Sequence, residues 1–309
     1  MSATGRPTGS GRLRGRDREG ALGVRLISGN GSTTRRTTPR RAARRRGGFA
    51  LALLLALPVL AGCASEDAPR LGLPLPATED SERVVSLWQG SWLAALAVGA
   101  LVWGLIAWAV IFHRKRSDEL PPQTRYNLPI EVAYTVVPFI MILVLFFYTV
   151  RDENELLKLS ANPDHVVDVQ GQQWSWQFAY DDADGVTVVG TPGVPPTLVL
   201  ARGETVRFNL NSVDVIHSFW VPAFLFKLDV IPGRTNSFEV TPSREGIYTG
   251  KCAELCGRDH ARMLYWVRVV SPEDYRQFVT DLRAAGDAAN GVVSAKNQPM
   301  RVSTESQQP

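Results

Sequence analysis

Cysteine and histidine are both scarce in this sequence, at three and four residues among 309. Cys63 stands alone, while Cys252 and Cys256 lie four apart. A secreted scaffold stapled by disulfides carries more cysteines than this, so the count fits site chemistry better than stapling. No Cys-x-x-Cys-His run occurs, which excludes a covalently attached c-type haem in this chain. No internal repeat is present. Acids are nearly missing from one stretch: residues 1–62 hold 13 of the 34 Lys+Arg but only Asp17 and Glu19 of the 30 Asp+Glu. The formal charge of +4 therefore hides an acidic remainder of 21 basic against 28 acidic residues. Such a surface repels nucleic acid and suits a basic partner.

The basic part has the order of a secretion signal. Residues 1–48 are rich in Arg, Gly, Ser and Thr, lack hydrophobic period, and read as disordered. An arginine cluster at 40–46 precedes an apolar run at 49–60. That run is too short to span a bilayer and suits the hydrophobic region of a signal sequence. It ends in Leu60-Ala61-Gly62-Cys63, which resembles the lipobox of bacterial lipoproteins. The resemblance implies removal of 1–62 and a diacylglycerol on the Cys63 thiol, leaving 63–87 as a linker outside the membrane. An ordinary small-residue cleavage site with a chance cysteine is the alternative.

Two uncharged runs follow, at 92–112 and 132–150, each long enough to cross a bilayer, within a helical hairpin at 88–151. Trp88, Trp92 and Trp108 sit at the shoulders of the first, as membrane interfaces favour. Between the runs, His113-Arg114-Lys115-Arg116 places the short loop in the cytoplasm and both flanks outside. An external, lipid-bearing Cys63 requires the same topology. Glu131 opens the second run. A carboxylate there is a favourable partner for a helix N-terminus, or an ionisable group with a function at the membrane edge.

After Arg151 the pattern changes to short runs rich in Val, Thr, Trp and Tyr. Strands are expected at 165–171, 173–180, 186–189, 197–200, 205–210, 218–221, 237–240, 246–252 and 263–270. Turn signals such as Asp184-Gly185, Arg202-Gly203 and Pro232-Gly233 separate them. Many short, evenly spaced strands argue for an all-β sandwich or barrel over 152–285. Ser271-Pro272-Glu273-Asp274 is a capped helix start, leading through Tyr275, Phe278, Val279 and Leu282. The polar stretch 286–309 reads as a disordered tail.

The strongest signal is Cys252-Ala-Glu254-Leu-Cys256-Gly257-Arg-Asp-His260-Ala-Arg-Met263, with a second imidazole upstream in Asp214-Val-Ile-His217-Ser. Thiolate, thioether and imidazole together select copper over hard cations. A mononuclear blue-copper site uses one Cys, two His and a weak Met. The additional thiolate here suggests two coppers bridged by both sulfurs, each with one His, and with Met263 and a backbone carbonyl as weak ligands. Such a set leaves no open position for a substrate, which suits electron transfer. A Cys252–Cys256 disulfide would leave His260 and Met263 unexplained, and zinc would not want Met263.

The Cys-x-Glu-x-Cys-Gly pattern, with His four and Met seven after the second Cys, closely resembles the CuA motif of the cytochrome c oxidase subunit 2 family, as do His217 in its segment and 228–234. The resemblance spans roughly 88–282. It implies a two-helix transmembrane hairpin followed by a cupredoxin-like Greek-key domain with one C-terminal helix. It implies a dinuclear copper centre held by His217, Cys252, Cys256, His260 and Met263 and by the Glu254 carbonyl, with the Glu254 carboxylate joining subunit 1 in a Mg²⁺ or Mn²⁺ site. Trp174, otherwise a half-buried core aromatic, is then where electrons arrive. Asp181, Asp182, Asp184 and Asp214, otherwise a solvated face, would steer a cytochrome. Glu131, seven residues before Pro138, matches a carboxylate at a proton-pathway mouth. The implied partners are oxidase subunit 1 with its haem and CuB, subunit 3, a c-type cytochrome and membrane lipid, without nucleic acid. The implied place is a bacterial cell membrane, crossed twice, with both mature termini outside. The chain is then a subunit of an oxidase that reduces O₂ to water with proton pumping, and is not catalytic alone. Gln172 and Ser175 depart from common family residues. Four histidines argue against a nitrous-oxide reductase, two packing helices and a filled ligand set against a copper-delivery protein, and the two cysteines against a quinol oxidase subunit.

Overall fold

A computed structural model of the chain describes residues 70–302. The leader and Cys63 lie outside these residues, as do 303–309. Two long helices come first, α1 (Ser81–Phe112) and α2 (Leu128–Leu156). Their 32 and 29 residues exceed the roughly 20 needed to cross a bilayer. The apolar windows of both are unburied by the chain's own residues, as expected of surfaces that face lipid or partner helices. Both helices run beyond the apolar spans read from the sequence. Their additional turns next to the sandwich are polar, and the start of α1 is tied to it. Buried Ser81 donates its hydroxyl to the Phe224 carbonyl at 2.8 Å, and the Ala77 N–H donates to the Ala223 carbonyl at 2.9 Å.

The domain that follows α2 is a mixed β-sandwich. Its strands are β1 (His165–Gln172), β2 (Ser175–Tyr180), β3 (Val186–Val189), β4 (Thr197–Ala201), β5 (Val206–Ser212), β6 (His217–Val221), β7 (Phe226–Val230), β8 (Asn236–Val240), β9 (Gly246–Cys252), β10 (Leu264–Val270) and β11 (Val292–Ser294). Among the described residues one sheet runs β11-β3-β2-β1-β5-β8 and the other β4-β10-β9-β6-β7. This is the cupredoxin-like architecture that the resemblance implies. Strand alternation fills the space between the sheets: Val167 and Val169 of β1 point inward, as do Phe208 and Leu210 of β5 and Tyr265 and Val267 of β10. Phe219 stacks on Tyr265 with ring centroids 4.9 Å apart, and Trp176 meets Tyr265 edge-on at 5.3 Å. Helix α3 (Pro272–Ala288) starts as expected, with the Ser271 hydroxyl accepting from the Asp274 N–H at 3.1 Å, and buries Tyr275, Phe278, Val279 and Leu282.

The expectation of a disordered tail is corrected for residues 286–302. β11 pairs in parallel with β3, and the chain then crosses to β4, the edge of the other sheet. There the buried Gln298 side chain substitutes for a strand: its Oε1 accepts from the Thr197 N–H at 3.0 Å and its Nε2 donates to the Thr197 carbonyl. A polar composition folds here because one amide satisfies both backbone groups of an edge strand that no further strand pairs. Gln298→Ala would leave both groups buried and unpaired. It should lower unfolding stability by about 2–4 kcal/mol, measured by denaturant titration of the solubilised protein.

His165, which the sequence reading did not use, pins β1 to the rest. Its Nδ1 meets Asp182 and its Nε2 meets Glu204, each at 2.7 Å, and its ring packs on Tyr275, whose hydroxyl also donates to Asp182. Burial lowers the imidazole's affinity for a proton, but the two carboxylates outweigh it and raise His165 above 6.5. Burial likewise raises Asp182, yet His165 and Tyr275 hold it below 3.8. The histidine's contribution is complete below about pH 6.5 and lost as pH rises through its raised folded value. That of Asp182 is complete above about pH 4 and lost as pH falls through its lowered value. His165→Gln should therefore destabilise most between about pH 4 and pH 6.5 and progressively less above, as seen in melting temperatures across pH.

Candidate metal centre

Three strand ends and one loop converge at an end of the sandwich. β9 finishes at Cys252, β6 begins at His217, and β10 begins after Met263. The pairing Phe219↔Cys252 sets His217 beside the first thiol. The 253–263 loop is closed at its base by the Cys252 N–H donating to the Met263 carbonyl at 3.1 Å and crosses to β6 where the Ala253 N–H donates to the Ser218 carbonyl. His217 and Met263 are fully buried, and Cys252 and Cys256 nearly so.

All the soft donors expected from the sequence face one another. The two sulfurs are 3.8 Å apart and form no disulfide. His217 Nδ1 lies 3.9 Å from Cys252 Sγ, and His260 Nδ1 lies 3.6 Å from Cys256 Sγ. Met263 Sδ is 3.7 Å from Cys256 Sγ, while the Glu254 carbonyl accepts from Cys252 at 3.2 Å. Sulfurs at that separation can both reach one ion, since two metal–thiolate bonds of about 2.3 Å each can span it. Each sulfur thus has one imidazole and one weaker donor beside it.

The thiols titrate as a pair. Burial raises both, but at Cys252 hydrogen bonding from His217 and the backbone outweighs it and brings the thiol down to about 7. Burial and the neighbouring Cys252 charge push Cys256 up to about 12. One proton leaves readily, and the second leaves when a cation compensates the charge.

Asp214, expected as a docking acid, also bonds to a candidate ligand. Its Oδ1 meets His217 Nε2 at 2.8 Å, and it accepts from the backbone N–H groups of Gln173 at 2.7 Å and Val215 at 2.6 Å. Burial raises this carboxyl, yet these bonds keep it below the ordinary carboxylate value. An Nε2–H held by a carboxylate leaves Nδ1 free to bind a metal. An acid three residues before the histidine was the available signal. Trp174 is half-buried, and its indole N–H donates to the Cys256 carbonyl at 3.2 Å, with Arg258 5.6 Å over its ring. Gln173, which the sequence reading passed over, donates to the same carbonyl at 2.7 Å.

Two glycines make room. A Cβ on Gly171 would lie 3.1 Å from the His217 ring. Gly257 has φ +120°, and its Cβ would lie 3.2 Å from the Trp174 ring. Gly257→Ala should cost about 1–3 kcal/mol in backbone strain and push the indole off the Cys256 carbonyl, read as a shift in tryptophan fluorescence with weaker copper retention.

Other expected residues lie elsewhere. Asp181, Asp182 and Asp184 follow the far end of β2, roughly 20 Å of strand from Trp174. Asp182 is held by His165, and Asp184 pairs with Arg283 at 3.1 Å. The four acids do not form one patch. Glu131 accepts from the Asn127 N–H at 3.0 Å at the start of α2.

The family model for the periplasmic domain of cytochrome c oxidase subunit II matches residues 192–270, a span that contains all six candidate ligands. A probable cytochrome c oxidase subunit 2 of Streptomyces avermitilis is 54% identical over 276 residues, covering 77% of this chain and 86% of that protein. Cytochrome c oxidase subunit 2 of Mycobacterium bovis is 34% identical over 308 residues, covering 80% and 85%. The crystal structure of the periplasmic domain of subunit II of the Bradyrhizobium japonicum cytochrome oxidase is 30% identical, covers 41% of this chain and 98% of that one, and aligns with a TM-score of 0.38.

Proposed function

Because the chain belongs to the cytochrome c oxidase subunit 2 family, we propose that its outer domain is the electron-receiving module of the oxidase, taking electrons from a c-type cytochrome through a dinuclear copper centre. The observation that carries this reading is the pairing at the site: two unbonded sulfurs 3.8 Å apart, each flanked by its own imidazole and its own weaker donor. Cys252 and Cys256 would hold both ions, His217 and His260 one each, and Met263 and the Glu254 carbonyl would complete the set. Bound there, a copper pair supplies a carrier of single electrons. Burial of His217 and Met263 excludes water, and Asp214 fixes the His217 ring in the orientation that presents Nδ1. Because protein donors fill every position, the site passes electrons and makes no bonds to substrate.

Trp174 receives the electron in this reading, since its indole is bonded directly to the backbone of a ligand. Asp214 and the acidic outer surface attract a basic cytochrome, and electrons then pass to the haem of subunit 1, where O₂ is reduced to water with proton pumping. Subunit 3 completes the partners. The exposed Glu254 carboxylate is suited to a Mg²⁺ or Mn²⁺ shared with subunit 1. Glu131 would sit at a proton-pathway mouth on the cytoplasmic side. Cys63 would carry a diacylglycerol, with both mature termini on the outer face of a bacterial membrane. Rapid mixing of the intact oxidase with reduced c-type cytochrome tests the reading. The copper absorbance should bleach before that of the haem, and haem reduction without a preceding copper phase would contradict it.

A further inference from the structure

A groove of about 1160 Å³ runs between the outer halves of α1 and α2. Its α1 side is built from small residues, including Gly90, Ala94, Ala95 and Gly99, opposite Val144 and Leu145 of α2. A Cβ added at Gly90 or Gly99 would meet nothing within 4 Å, so the space is open rather than closed by helix packing. The groove continues from Ala94 to Trp103, a length of about 14 Å at 1.5 Å per residue. That is close to half of the ~30 Å hydrocarbon core, the depth of one leaflet. Its mouth is polar, lined by Arg83, Ser86, Arg151 and Asp152. Both arginines carry their own counter-ions, Arg151 with Asp152 at 2.8 Å and Arg83 with Asp80 at 3.5 Å. A charge-balanced mouth with spare N–H donors suits uncharged ester carbonyls better than a phosphate.

The chain before α1 leads to this mouth. The Trp88 indole N–H donates to the Leu71 carbonyl at 3.3 Å, which holds the start of the described chain against α1 at the residue next in sequence to Leu87 of the groove. Six residues separate Cys63 from Arg70, so the seven steps between them reach at most about 25 Å. The groove is therefore within reach of a group attached to Cys63, and a tethered occupant returns after each departure at high effective concentration.

We infer that the diacylglycerol on Cys63 is seated in the groove between α1 and α2, so that the chain's own lipid fills its transmembrane hairpin. The inference rests on the lipidation of Cys63 proposed above. The anchor is then a packing element of the hairpin as well as a tether.

Photo-crosslinking in the intact oxidase tests this. p-Benzoylphenylalanine replaces Val98, which lines the groove, or Leu101, which is 62% exposed and does not line it. After illumination, mass spectrometry of the digested complex should find the acylated N-terminal peptide joined to α1 of the same chain, severalfold more from position 98 than from position 101. Acylated Cys63 with position 98 joined to free phospholipid, to a partner-subunit peptide, or no more than position 101 would overturn the seating alone. An unacylated Cys63 would overturn the lipidation reading and the seating with it.

Discussion

Cys256→Ser is expected to leave the sandwich folded and to abolish the paired copper site. Cys256 is almost fully buried, and the hydroxyl is a close substitute in size, so the 253–263 loop keeps its backbone anchors to β6 and β10. The chemistry does not survive the exchange. A serine oxygen is a hard, protonated donor at neutral pH and does not bridge soft copper as a thiolate does. The variant also removes the contacts to His260 and Met263 in one step. Oxidase turnover with cytochrome c should fall by more than the ~10–100-fold that loss of an outer-shell partner costs, with circular dichroism unchanged. Turnover near that of the parent, with unchanged copper content, would contradict a bridging role.

Asp214→Asn is expected to reduce copper affinity or turnover by about 10–100-fold. The carboxylate holds the His217 Nε2 side at 2.8 Å while bonding to Gln173 and Val215, so it locks both the ring and the turn before β6. An amide supplies a weaker acceptor and can rotate its NH₂ toward the ring, favouring the wrong tautomer. Asp181→Asn serves as the control, because residue 181 follows the far end of β2. If Asp214 acts only by attracting the cytochrome, both variants should show the same dependence on salt. If it acts through His217, the copper spectrum shifts in Asp214→Asn alone.

The candidate ligands could be picked out because five of the six fall within twelve residues, and because the chemistry of Cys, His and Met is distinctive. The role of Asp214 was not, since an acid in a loop looks the same whether it faces solvent or a buried imidazole. Helix α3 announced itself through its cap and its Tyr275–Phe278–Leu282 face. Strand β7 was missed because Phe-Lys-Leu-Asp-Val alternates weakly and only Val230 is buried within it. The closing segment was missed for a different reason. Gln298 earns its burial by hydrogen bonding to Thr197 rather than by apolarity, and no hydrophobic period betrays such a contact. His165 was passed over because its two carboxylate partners lie 17 and 39 residues away. Helix α1 outran its apolar span because its first turn is anchored to the sandwich through Ser81.

The two thiols of Cys252 and Cys256 are expected to hold a pair of ions that share one electron. The most direct measurement is electron paramagnetic resonance, with copper analysis, on the copper-loaded full-length protein. Two coppers per chain and a hyperfine pattern from one electron spread equally over two copper nuclei is the predicted result. One copper per chain, with the hyperfine pattern of a single nucleus, would contradict it.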